Sequence, residues 1–199
     1  MSDTLLAPPD DPNPEGARAR ILETASQLFY RHGLRGVGID RIIAESGVAK
    51  MSFYRHFPAK DDLIRAYLEG RHRRWLAGFQ ARLAARPPEL AAVADILLAW
   101  AAEPDYRGCA FINAVAEVGE GIAGVAAIAR AHKDDLQRLL AEWLAPRLGE
   151  RAPMAARCAM VVVEGLIVRS QMGEGELLVE DGRWLLQRIE AELGVDKSV

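Results

Sequence analysis

"GVAKMSFYRHF", residues 47–57, is the stretch whose reading decides the fold. It sets three aromatics (Phe53, Tyr54, Phe57) beside three cationic-type side chains (Lys50, Arg55, His56) in a segment of about two helical turns. A core helix rarely carries such charges, and a solvent-facing helix rarely carries three aromatics. The segment therefore needs two different neighbours. On a wheel at about 100° per residue, Phe53 and Phe57 share one edge, joined by Val48 from the preceding turn. Met51 and Arg55 lie opposite, Tyr54 takes one flank, and Ser52 and His56 take the other. That outer face suits a major groove: arginine pairs with guanine edges, methionine meets a thymine methyl, and Ser or Tyr hydroxyls reach phosphates.

Working outward, Gly47 supplies a tight turn, and a short helix from about Ile39 to Ser46 precedes it, with Ile39, Ile42 and Ile43 facing inward. A longer helix comes first. Asn13 suits its N-cap, Pro14 its first position and Glu15 its positive end, and Arg31, His32 and Gly33 close it. Ile21, Leu22, Ala25, Leu28 and Phe29 give it a single apolar face. A long helix followed by two short ones joined at a glycine is the arithmetic of a helix-turn-helix. A fourth helix runs from near Lys60 towards Pro87-Pro88, with Leu68, His72, Trp75, Leu76, Phe79 and Leu83 as its apolar stripe. Further helices are expected near 88–102, 109–119, 122–147, 153–172 and 176–193. No alternating strand pattern and no internal repeat appears, so the expectation is an all-α protein of about nine helices.

Charge divides the chain. Residues 14–86 carry fourteen Lys and Arg against seven Asp and Glu, whereas residues 87–199 carry eleven against eighteen. A basic amino-terminal part on an acidic body fits a polyanion-facing module, although arginines on a long exposed helix would give the same count. Lys60 adds to this, because a cation in the first turn of a helix is opposed by the macrodipole unless an anion sits there. A DNA phosphate would resolve the conflict; so, in part, would Asp61 and Asp62 around a solvated lysine.

The run from Gly33 to Leu63, "GLRGVGIDRIIAESGVAKMSFYRHFPAKDDL", resembles the DNA-binding domain of the TetR family of bacterial transcriptional repressors. That signature is an I-A doublet, a Gly-Val turn, a Ser/Thr-Lys-Gly-Thr-Leu-Tyr-x-x-Phe recognition helix, then small-Lys-acid-acid-Leu. Gly47, Val48, Lys50, Tyr54, Phe57, Lys60 and Leu63 match it outright, and Ser52 and Phe53 match in kind. The resemblance implies that Lys50, Met51, Ser52, Arg55 and His56 face bases or the groove edge. It also implies that Tyr54 and Lys60, with Arg41 as a weaker partner, hold phosphates. Departures are Gly38 where a phosphate-binding threonine is usual, Asp40 where a basic or polar residue is common, Ala49 for the Ser/Thr N-cap, and Met51 for a glycine.

Residues 1–12, with Pro8, Pro9 and Pro12 among acids and small residues, are expected to be a disordered arm. A helix-turn-helix domain over 13–60 (the family domain reaching about 75) and, as the resemblance implies, a ligand-binding and dimerisation domain over 61–199 follow. "RGCAFINAVAEVGE" (107–120) resembles a motif of one subgroup of such bodies. Phe111, Asn113 and Glu117 are candidates to line a ligand cavity beside Trp75, Phe79 and Trp100; the competing reading makes the aromatics core and leaves Asn113 and Glu117 to cap or face solvent. Glu164 is either a pocket carboxylate or an interface hydrogen-bonder. Val161, Val168, Trp184, Leu185 and Ile189 are candidates for a dimer seam, where Gly165 permits a close helix approach. Two-fold symmetry then predicts a pseudo-palindromic operator.

The implied partners are double-stranded operator DNA, a second copy of the chain and a small-molecule inducer; regulation without ligand control is the alternative. No cofactor or metal is expected, since Cys109 and Cys158 are too few for a cysteine site and the four histidines form no HExxH. Neither a phosphate loop nor GxSxG occurs, so no enzyme is expected. The amino-terminal stretch lacks the pattern of a secretory leader. The longest apolar run, 158–168, is eleven residues with a glutamate inside, well short of the ~20 that span a bilayer. A cytoplasmic protein without membrane partners is the expectation.

Overall fold

The computed structural model describes residues 16–173 and 175–194. Over these residues it is all-helical: α1 (Ala17–His32), α2 (Ile39–Ser46), α3 (Lys50–His56), α4 (Lys60–Ala84), α5 (Ala91–Ala101), α6 (Ala110–Val118), α7 (Val125–Leu148), α8 (Ala152–Gln171) and α9 (Glu176–Gly194). A short 3-10 turn (Gly149–Arg151) joins α7 to α8. The arm expected over 1–12 and the cap expected at Asn13 to Glu15 lie outside the described residues; α1 begins at Ala17 with Gly16 as its N-cap.

Two glycines fix the amino-terminal corners. Gly33 ends α1 at φ 80°, ψ 161°, and Gly47 ends α2 at φ 65°, ψ 25°. Both lie in the region that a Cβ disfavours, so the chain turns where the sequence permits it. Of the three isoleucines of α2, Ile42 is fully buried, while Ile39 and Ile43 are only partly covered. Helices α2 and α3 both pack on α1.

The chain forms two compact units. One holds the described residues up to Trp75 together with Cys109–His132, and so contains α1–α3, the first part of α4, α6 and the start of α7. Its core includes Ile21, Phe29, Ile42, Phe53, Phe57, Leu63 and Leu68. The other holds Leu76–Gly108 and the described residues from Lys133 onward, in which α5, α8 and α9 pack on one another. There the Tyr106 hydroxyl donates to the Ile167 carbonyl (2.7 Å), and the Trp143 indole donates to the Leu83 carbonyl (3.1 Å). No helix among the described residues is long and apolar enough to cross a membrane.

Candidate nucleic-acid interface

The outer face of α3 is built from its inner one. Phe53 is 0% exposed and packs edge-on to Tyr54 and tilted against Phe57, with ring centroids 5.4 and 6.3 Å away. Arg18 of α1 lies over the Phe57 ring at 5.1 Å. With Phe53 and Phe57 anchored, Met51 stands out at 77% exposure, Arg55 and Tyr54 are exposed, and Ser52 and His56 are half-buried on the flank. Ala49 serves as N-cap in extended geometry and offers no side-chain hydrogen bond; its carbonyl accepts from Ser52 N–H (2.9 Å) and Phe53 N–H (3.0 Å).

The cations around α3 differ in freedom. Lys50 has only a loose, solvent-exposed approach to Asp40, 3.7 Å away, an interaction of little energetic weight. Arg41 is engaged: its Nε donates to Glu45 Oε1 at 2.7 Å, and Nη2 lies 3.4 Å from His32 Nε2. Lys60 is half-buried at the start of α4, with its ammonium 5.9 Å from the Phe29 ring centre. Burial lowers its pKa, and the carboxylates of Glu117 and Asp61 oppose that shift. The same helix start is capped by Asp62, whose carboxylate accepts from Ala59 N–H (3.1 Å) and pairs with Arg65 (2.7 Å).

The aromatic candidates divide between the units. Trp75, Phe111 and the buried His132 come together in one: Phe111 stacks on His132 with centroids 3.8 Å apart, Trp75 meets His132 edge-on at 5.3 Å, and His72 Nδ1 lies 3.2 Å from His132 Nδ1. Phe79 and Trp100 are buried in the other, Trp100 edge-on to Tyr106 at 4.9 Å. Asn113 is half-buried on α6. Glu117 accepts from Arg35 N–H at 3.0 Å and so ties α6 to the α1–α2 loop. Glu164 pairs with Lys133 of α7 at 2.8 Å. In the second unit, a cleft of about 460 Å³ is lined by Glu89, Arg147, Gln187 and Glu190 among others, and by none of the sequence candidates. No group of potential metal ligands occurs among the described residues.

On α8 and α9, Val161 (75% exposed) and Trp184 (56% exposed) point to solvent with Leu185, while Val168 and Ile189 are half-covered. Met154, Met172 and Leu177 extend this apolar surface, and a Cβ placed on Gly165 would meet nothing within 4 Å.

Tyr67, Arg71 and His132 are not among the residues expected from sequence. Their signal was positional: Arg71 stands in the buried stripe Ile64, Leu68, Trp75, and His132 in the stripe Val125, Ala129, Leu136, Leu140. A cation or imidazole at a core position of a helix marks a polar group that needs a buried partner.

A basic helix-turn-helix with a sided third helix defines a class of DNA-binding proteins. The profile of the family described as "Bacterial regulatory proteins, tetR family" matches residues 21–67. The crystal structure of SCO4454, a TetR-family transcriptional regulator from Streptomyces coelicolor, superposes with a TM-score of 0.81 at 33% identity, covering 92% of this chain and 92% of that one. The HTH-type transcriptional repressor SCO4008 of the same organism is 42% identical over 57 residues, which are 29% of this chain and 30% of that repressor's length. At 19% identity, the regulator CifR, solved as a cysteine mutant with a 26-bp double-strand operator DNA, shares the fold with a TM-score of 0.70 over 89% of this chain and 98% of that one. The chain belongs to the TetR family of bacterial transcriptional regulators, which is not a class of enzymes.

Proposed function

We propose that the chain is a homodimeric transcriptional repressor that binds a pseudo-palindromic operator and is released by a small-molecule inducer. The observation that carries the reading is the two-sidedness of α3: Phe53 and Phe57 are sealed in the core while Met51 and Arg55 project from it. Arg55 is the direct base reader, with Met51 contributing an apolar contact and Ser52, His56 and Lys50 lining the groove edge. Tyr54 and Lys60 hold phosphates, and Arg41 joins them only by leaving Glu45. The exposed apolar surface of α8 and α9 supplies the two-fold seam, with Val161, Val168, Trp184, Leu185 and Ile189 at its centre. The operator complex of CifR supports the same mode of binding here. Inducer binding acts by preferring the arrangement in which the two recognition helices are misplaced for the operator. The proposed ligand-responsive residues are Trp75, Phe111, Asn113 and Glu117 in one unit and Phe79, Trp100 and Glu164 in the other.

Fluorescence anisotropy with DNA from the neighbouring promoters tests the reading. Arg55→Ala is expected to cost about 1–3 kcal/mol and relax base preference at one position, whereas Lys60→Ala weakens all sequences alike and lowers the salt slope by about 1. Equal affinity for every sequence at low salt, unchanged in Arg55→Ala, would refute it.

A further inference from the structure

Among the described residues, Arg71 is a buried cation of the amino-terminal unit with no anion paired to it. Arg71 of α4 is 4% exposed, and its guanidinium lies flat on the Tyr30 ring, 3.7 Å from the ring centre. That stacking covers the face of the guanidinium and leaves its in-plane N–H donors unanswered. Its buried Nη2 has no hydrogen-bond partner among the described residues. An arginine cannot escape by losing its proton, and a charge removed from water without a counter-ion is strongly destabilising. The contrast with Arg147 is instructive, since that side chain bridges Glu89 at 3.1 Å and Glu190 at 2.6 Å.

The surroundings add charge of the same sign. Tyr67, Arg71 and Arg74 follow one another at i, i+4 and i+7, so they share one face of α4. Arg74 folds back along that face, with Nη1 3.4 Å from the position of a Cβ on Gly70, and makes no ion pair among the described residues. Tyr67 is buried, and that burial pushes its phenol up to about 12. It therefore remains a neutral O–H donor at physiological pH and neutralises neither arginine. Two neighbouring guanidiniums and a buried neutral phenol make a donor-rich constellation without an anion.

We propose that Arg71, Arg74 and Tyr67 form a binding site for a small oxyanion, a carboxylate or a phosphate group, which answers the in-plane donors of Arg71. Arginine's fork matches either group bidentately, and the phenol supplies a third donor. The site deepens the ligand-responsive reading given above, and rests on it for its regulatory consequence but not for its existence.

The test uses the full chain, with inorganic phosphate and benzoate as separate probes, each read by thermal denaturation and titration calorimetry against sodium chloride of matched ionic strength. A saturable rise in Tm with one probe is expected, and which probe produces it identifies phosphate or carboxylate as the source. Arg71→Met is expected to abolish that rise and weaken binding about ten-fold or more, and to raise the ligand-free Tm because an unpaired buried charge is gone. Arg74→Gln, on a more exposed side chain, weakens binding without threatening the fold. No stabilisation beyond matched chloride by either probe, or equal binding to Arg71→Met, overturns the site. Operator anisotropy at saturating anion separates the two readings: release supports both, whereas tight anion binding with unchanged operator affinity keeps the site and refutes ligand control through it.

Discussion

Replacing Gly33 by alanine probes the junction between α1, α2 and α6, and its cost can be worked out in two parts. The backbone there sits at φ 80°, ψ 161°, a conformation open essentially to glycine alone. Forcing an L-residue into it costs about 1–3 kcal/mol. The new methyl group also falls 2.9 Å from Glu117 Oε2, the atom that accepts the Arg35 N–H at 3.0 Å. A carboxylate at the end of a flexible side chain moves aside at little steric cost, but in moving it forfeits that hydrogen bond. A bond from a backbone N–H to a charged acceptor at an exposed loop is worth about 1 kcal/mol. Gly33→Ala should therefore cost about 2–4 kcal/mol, and Glu117→Ala about 1 kcal/mol. The double variant should cost no more than Gly33→Ala alone, because the bond is lost once in either case. Urea denaturation of the four proteins at one protein concentration measures the cycle, and the expected coupling is about 1 kcal/mol. Additivity within about 0.3 kcal/mol would show that the carboxylate is not what the methyl group displaces, and a Gly33→Ala cost under about 0.5 kcal/mol would refute the backbone argument as well.

Two further predictions concern assembly and pH. Val161→Asp combined with Trp184→Glu places charge on the exposed apolar surface of α8 and α9; sedimentation is expected to show monomers with native helicity and operator affinity to fall by orders of magnitude, while an unchanged dimer would exclude this surface as the seam. Tyr67 titrates about two units above its ordinary 10.0 when folded, because burial disfavours the phenolate. Its contribution is thus fully present below pH 10 and lost as pH rises towards 12, amounting to about 2–3 kcal/mol. Denaturation midpoints across that alkaline window should fall more steeply for the parent chain than for Tyr67→Phe, and equal slopes would refute the assignment.

The helices were legible because their signals are local. The apolar periodicity and glycine turns that placed a helix over Ile39 to Ser46 act within a few residues of one another, and α2 occupies those bounds. The sidedness of α3 was legible for the same reason: seven residues at a known angular step decide which aromatics are buried. Long-range partners carry no such trace. Glu117 and the Arg35 N–H are separated by 82 residues, and no property of either residue type announces the other. His132 and Phe111 stack although 21 positions apart, and a pattern read along one helix at a time pairs neither with the other.

Lys60 shows how such a gap changes a functional argument. From sequence, a cation at a helix start demands an anion, and a DNA phosphate was the natural candidate. The fold brings Glu117 to the same lysine from α6, beside Asp61 of its own helix, so the demand is met in part without DNA. In the proposed operator complex, a phosphate at Lys60 competes with a carboxylate that also holds the α1–α2 loop through Arg35. On that proposal, operator binding and the grip of α6 on the helix-turn-helix are linked through one ammonium group. Any displacement of α6 that withdraws Glu117 would free Lys60 while loosening the loop, two effects of opposite sign on affinity. Separating them requires Glu117→Gln, which keeps a hydrogen-bond acceptor for Arg35 but removes the charge that competes for Lys60.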